Sequence, residues 1–211
     1  ESIAPFFVEE VRKYLERKYG ARQLYESGLS VYTSLDPELQ AAANVALDRG
    51  LRRLDKRRGF RKPRRNIVSE GRTPADYRDD TWGRPVAIDQ VLPAVVLAVA
   101  GPGAGKGAPA PAAGPATDRP VPAGSARVRV GRYTAGLGRA AIAWTGRRSA
   151  AELFRPGDII EVRVTAIDEA AASLEVTLEQ QPLVDGALLA IDNRTGQVRA
   201  MVGGLSFSRS K

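Results

Sequence analysis

The stretch from Val184 to Gly204, VDGALLAIDNRTGQVRAMVGG, constrains this chain more than any other. An apolar run, ALLAI, meets the turn-forming DNRTG, and a second β-rich run, QVRAMV, leaves it. Two such runs joined by a short loop containing Gly predict a β-hairpin. A hairpin this apolar needs a surface to pack against. Only seven residues follow Gly204, so the expectation is that its domain continues beyond the sequence.

Composition narrows the chemistry. The 211 residues leave room for one large domain or two small ones, and an apolar content of 43% is enough for a core. There is no cysteine, hence no disulfide framework, and no histidine. The missing histidine removes Ser-His and Cys-His nucleophile pairs, His-ligated metals and imidazole acid–base catalysis. A net charge of +8 and a pI near 10.1 favour anionic partners such as nucleic acid, lipid headgroups or acidic glycans. The longest apolar run, Val91 to Ala100, is too short to span a bilayer and contains Pro93. No signal peptide is legible at Glu1, and the opening residues read as the interior of a longer protein.

Residues 5 to 19 read as a helix, with Phe7, Val11, Tyr14 and Leu15 on one face, Pro5 in the first turn and Gly20 after the last. Leu29, Val31 and Thr33 alternate with polar neighbours and predict a strand. Asp36 and Pro37 then open a second helix, whose apolar stripe is Leu39, Ala43, Ala46, Leu47, Leu51 and Leu54. From Arg49 to Arg65, ten of seventeen residues are Lys or Arg. Such a run could hold phosphates, but it carries only Phe60 as an aromatic, so a solvated helix end and linker is the simpler reading.

Residues 66 to 90 are polar and irregular. Five strands are expected after them: Pro93–Ala100, Ala126–Tyr133, Gly138–Thr145, Asp158–Ile167 and Ser173–Glu179. RRSAAELF, at 147–154, is long enough for two helical turns, and RPGD at 155–158 restarts the sheet. Five strands with a small helix after the third is the order of an OB-fold barrel. Between the first two lie residues 101–124, of which nineteen are Gly, Ala or Pro, a composition that packs no core and reads as a disordered or extended loop.

Four matches to catalytic patterns fail on context. Gly105-Lys106 lacks the earlier glycine and the following Ser or Thr of a phosphate-binding loop. Gly136-Leu137-Gly138 lies between strands and reads as a turn, whereas a dinucleotide fingerprint opens a helix. Ser208-Arg209-Ser210-Lys211 fits S-x-x-K, but a tail cannot place its lysine one helical turn beyond the serine. Arg194-Thr195-Gly196 imitates K-T-G from within the hairpin turn. No catalytic, cofactor-binding or metal-binding residue is therefore assigned, and no cofactor is expected.

The segments APFFVEEVRKYLERKYG (4–20), GLSVYTSLDPELQAAANVAL (28–47), RPGDIIEVRV (155–164) and LEQQPLVDGALLAIDNRTGQVRAMVGG (178–204) together resemble the class A penicillin-binding proteins. The resemblance implies a bifunctional peptidoglycan synthase, with a glycosyltransferase upstream of Glu1 and a transpeptidase serine downstream of Lys211. It implies the extracytoplasmic face of the bacterial inner membrane, an anchoring helix outside this sequence, and lipid-linked precursor and glycan strands as the parent's substrates. Both active sites would lie elsewhere, so the chain itself is not expected to be an enzyme.

The expected fold class is then mainly β with flanking helices (α+β): a five-stranded OB-like β-barrel inserted into an incomplete transpeptidase scaffold. Its expected divisions are 1–57, linker helix plus first strand and helix of that scaffold; 58–90, a basic irregular linker; 91–181, the barrel with loop 101–124; and 182–211, the first transpeptidase hairpin. The expected role is to orient the two catalytic domains or to receive a regulatory protein on the barrel. The rival is a nucleic-acid-binding OB module using the 49–65 run, although Tyr133, Trp144 and Phe154 are not spaced as a stacking platform. A serine–lysine hydrolase based on Ser208 is the remotest reading.

Overall fold

The computed structural model describes residues 2–101, 121–205 and 207. The chain divides into two compact units, one built from residues 1–57 and 182–211, the other from Arg58–Gln181. The second unit therefore interrupts the first in sequence.

Strands β1 (Val91–Val99), β2 (Ala126–Val130), β3 (Tyr133–Leu137), β4 (Ile159–Asp168) and β5 (Ser173–Glu179) close into a barrel in the order β1-β2-β3-β5-β4. Every pairing is antiparallel except β3 with β5, which meet in parallel at Thr134–Ser173 and Ala135–Leu174. This is the OB arrangement. Period-two patterning fills the interior: Ala126, Val128 and Val130, then Ile160, Val162 and Val164, then Leu174, Val176 and Leu178 point inward. Their neighbours Arg127, Glu161, Arg163 and Glu175 face out.

β1 does not alternate because both of its faces are covered. Leu92, Ala94 and Val96 join the barrel core, while Val95 packs against Ile67 and Tyr77. The segment 58–90, basic and irregular in sequence, lies within this unit and supplies that outer layer, with Trp82 donating its indole N–H to the Pro93 carbonyl at 2.8 Å. Phe60, the lone aromatic of the basic run, stacks edge-on against Trp144 and Phe154.

Two of the expected strands are redrawn. The run expected as one strand over Ala126–Tyr133 is a hairpin, turned at Gly131 and Arg132, where Gly131 has φ of +58°. The strand expected at Gly138–Thr145 is instead a turn followed by a 3₁₀ segment, Ala143–Thr145. It plugs the barrel: Ile142 is fully buried, and the Trp144 indole N–H donates to the Leu178 carbonyl. Gly136 lies inside β3, so Gly136-Leu137-Gly138 is not a turn. The expected two-turn helix at 147–154 is one 3₁₀ turn, Ala150–Glu152, closed by a capping box between Ser149 and Glu152. The loop expected at 101–124, including Gly105-Lys106, falls largely outside the described residues.

The other unit holds helices α1 (Pro5–Tyr19), α2 (Ala21–Glu26) and α3 (Pro37–Lys56) with strands β6 (Leu188–Ile191) and β7 (Val198–Val202). Pro5 at the first turn and Gly20 at φ +82° bound α1, as their positions predict. The Asp36 carboxylate caps α3, accepting from the Glu38 and Leu39 amides at 3.0 Å. The strand expected at 29–33 does not form: among the described residues it joins no sheet, and Tyr32 is 96% exposed. Alternation favours a strand only when a neighbouring strand is present to pair with.

Candidate functional site

Among the described residues, no group of three His, Cys, Asp or Glu side chains could hold a metal ion. Arg194, Thr195 and Gly196 form the hairpin turn, and Ser208 to Lys211 lie outside the described residues. The basic run is partly neutralised within the chain: Arg52 pairs with Asp48 at 2.8 Å and Arg65 with Glu70 at 2.7 Å. Glu70 also meets Arg72, and hydrogen bonds from the two arginines hold its carboxyl down to about 2. Tyr133 and Phe154 are buried in the barrel core and Trp144 packs against it, so these three make no nucleic-acid stacking platform.

The unusual geometry is at the hairpin. β6 and β7 pair antiparallel, with Leu188 opposite Val202 and Ala190 opposite Ala200. Those four side chains face α3, where they pack on Ala43 and Leu47. Gly186 lies so close to α3 that a Cβ there would come within 3.1 Å of Leu51. The turn is held by Asp192, whose carboxylate accepts from the Arg194 and Thr195 amides at 2.9 and 3.2 Å. Those bonds lower its pKa below the usual carboxylate range. Gly196 at φ +73° completes the return.

The outer edge of β7 is closed without a strand. The Asp36 amide donates to the Arg199 carbonyl at 2.9 Å, and the Ser34 hydroxyl to the Val198 carbonyl. Gln40, fully buried on α3, satisfies Met201 at both ends: its amide nitrogen donates to the Met201 carbonyl at 3.1 Å, and its oxygen accepts from the Met201 N–H at 2.9 Å. β6 has no counterpart. Among the described residues it pairs only with β7, and Leu189 and Ile191 stand 52% and 48% exposed. On the sheet face away from α3, a groove of about 700 Å³ runs between β6–β7 and α1. It is lined by Phe6, Leu189 and Met201, with Glu9, Glu10 and Lys13 at its rim. The Phe6 ring lies on Gly203, where a Cβ would fall 2.5 Å from it, so only glycine fits.

Sequence reasoning placed Ala43, Leu47 and Leu51 correctly on the packed face of α3 but missed its polar members. Gln40 and Asp55 are both fully buried, whereas Leu39, Ala46 and Leu54, expected in the stripe, are exposed. Asp55 accepts from the Leu183 amide at 3.1 Å, tying the end of α3 to the segment that leads into β6. A single acid among ten cations was the available clue. Gln40 offered none.

No family model matches the chain. Curated relatives do match it, almost from end to end. The penicillin-binding protein 1A of Rickettsia conorii is 32% identical over 214 residues, covering 99% of this chain and 23% of the relative. This chain is homologous to a region of penicillin-binding protein 1A. The protein of that name from Neisseria flavescens is 28% identical, over 98% of this chain and 23% of its own length. The crystal structure of penicillin-binding protein 1A from Haemophilus influenzae superposes with a TM-score of 0.68 over 98% of this chain and 27% of that one. At 22% identity that likeness concerns the fold alone. The chain thus spans about a quarter of the length of the penicillin-binding proteins 1A it matches.

Proposed function

We propose that this chain is a non-catalytic region of a bifunctional peptidoglycan synthase, joining a glycosyltransferase to a transpeptidase in one polypeptide outside the bacterial inner membrane. The single observation that carries this reading is the open hairpin. A two-stranded sheet is marginal on its own, and this one leaves an apolar edge at β6 and an apolar groove beside it. Such a surface suits the remaining strands of a transpeptidase sheet supplied by the same polypeptide. The divisions 1–57 and 182–211 then form the start of that domain, and the barrel within 58–181 is the insertion that sets the spacing of the catalytic domains or receives a regulator. Among the described residues no helix is long and apolar enough to cross a membrane, so the anchor belongs to the parent in this reading.

The test uses the full-length parent. Leu189→Lys places a charge on the open edge and is expected to reduce labelling by a fluorescent penicillin at least tenfold, although Leu189 is no catalytic residue. Arg139→Glu, on the exposed exterior of the barrel, should leave labelling unchanged. Covalent labelling of the present chain on its own would sink the reading.

A further inference from the structure

Four of the six tyrosines lie at positions 14, 19, 25 and 32, and all four are exposed. Tyr14 is 54%, Tyr19 45% and Tyr25 65% accessible. Helix α1 explains part of this. Phe7, Val11, Tyr14 and Lys18 follow one another at helical spacing along a single face. The first turns of α1 are used by the fold, with Phe7 buried and Phe6 seated on Gly203. Its last turns carry the same face onward, and there Tyr14 is exposed.

The charges there are arranged, not scattered. Between Arg12 and Arg22 stand five cations and one acid, Glu16. Arg12 bridges Glu9 at 2.9 Å and Glu16 at 2.7 Å, and also donates to the Tyr25 hydroxyl at 3.2 Å, which holds the α2 tyrosine beside α1. The Lys18 ammonium sits 5.7 Å from the Tyr14 ring centre and 5.2 Å from that of Tyr19. Contact with Tyr19 and Tyr14 raises its pKa, so it stays charged.

A phenol ring with a polar tip, flanked by a long cationic side chain, suits the boundary between headgroups and acyl chains. Lys13 and Arg22 are paired with Glu10 and Glu26 at 2.9 and 3.0 Å, so complementarity to phosphate is carried by Arg17 and Lys18. We infer that the α1–α2 corner rests on an anionic phospholipid surface, with Tyr14, Tyr19 and Tyr25 at headgroup level and Arg17 and Lys18 against the phosphates. This goes beyond the proposed function and does not depend on it.

The test is co-sedimentation of the whole chain with vesicles. Binding to mixed phosphatidylglycerol–phosphatidylcholine vesicles, and none to phosphatidylcholine alone, is expected. The triple variant Tyr14→Ser, Tyr19→Ser, Tyr25→Ser should lower that binding at least tenfold, with an unchanged circular dichroism spectrum and melting temperature. The single surface change Lys18→Glu should lower it several-fold, and serves if the triple variant does not fold. No vesicle binding at low salt overturns the inference. So does binding that survives both variants but disappears when Arg61, Lys62 and Arg64 are reversed in charge. Retention on isolated glycan sacculi through the same tyrosines, without vesicle binding, overturns it in favour of a glycan surface.

Discussion

The barrel and the hairpin unit are made from the same kinds of residue and reach opposite ends of self-sufficiency. Among the described residues, every exposed large hydrophobic side chain except Val68 and Ile88 belongs to the unit of 1–57 and 182–211. Of the buried hydrophobic residues, only Ala4, Phe7, Ala43, Leu51, Ala200 and Val202 lie in that unit. The barrel closes its hydrogen-bond ladder on itself and covers even the outside of β1. The hairpin unit closes one strand edge and one sheet face and leaves the others open. A closed ladder leaves the barrel no backbone edge to offer, whereas the edge of β6 can still accept a strand.

The largest test of that contrast is core truncation. Leu178→Ala in the barrel removes a fully buried side chain and is expected to cost about 2–5 kcal/mol in denaturant unfolding. Leu189→Ala on β6 should stay within about 0.5 kcal/mol, because half of that side chain already meets water. Equal losses would erase the distinction.

A smaller effect is expected at the glycine under Phe6. Gly203→Ala forces a Cβ into the ring and should destabilise the hairpin unit by about 1–3 kcal/mol while leaving the barrel's unfolding transition in place. Adding Phe6→Ala to that variant should recover part of the loss. A shift of both transitions together would show that the two units do not unfold separately.

The smallest effect is a pH dependence confined to the hairpin turn. The Asp192 carboxyl titrates below its unfolded value of about 3.9, because the Arg194 and Thr195 amides donate to its ionised form. Its contribution to stability is fully present above that unfolded value and is lost as pH falls through the lower, folded one. Amide resonances of Arg194 and Thr195 should shift in that acid range and not near neutrality. In Asp192→Ala the dependence should vanish.

Much of this fold was legible because its signals are local. Pro5, Gly20 and the Asp36-Pro37 pair bound their helices through backbone chemistry that needs no partner. β5 and the hairpin strands declare themselves by composition and alternation. Two of the misreadings share one cause: alternation that runs on through a turn. VRVGRY keeps its period through Gly131 and Arg132, so two short strands read as one. GRAAIAWT mimics a strand, while its real task is to place Ile142 and Trp144 against the barrel. At 29–33 the period is present, but the pairing partner is not. The β6–β7 hairpin was foreseen from ALLAI, DNRTG and QVRAMV, whereas the closure of β7 rests on a glutamine whose burial is set by tertiary structure alone.

That glutamine fixes a direction. Gln40 occupies, with a side chain, the place where a neighbouring strand would stand, so a larger sheet can add strands beside β6 but not beside β7. β7 is the border of whatever sheet this hairpin enters. The border is set by helix phase: one residue inserted between Asp36 and Gln40 would turn the amide about 100° away from Met201. The spacing of LDPELQ thus sets which edge of the hairpin stays open.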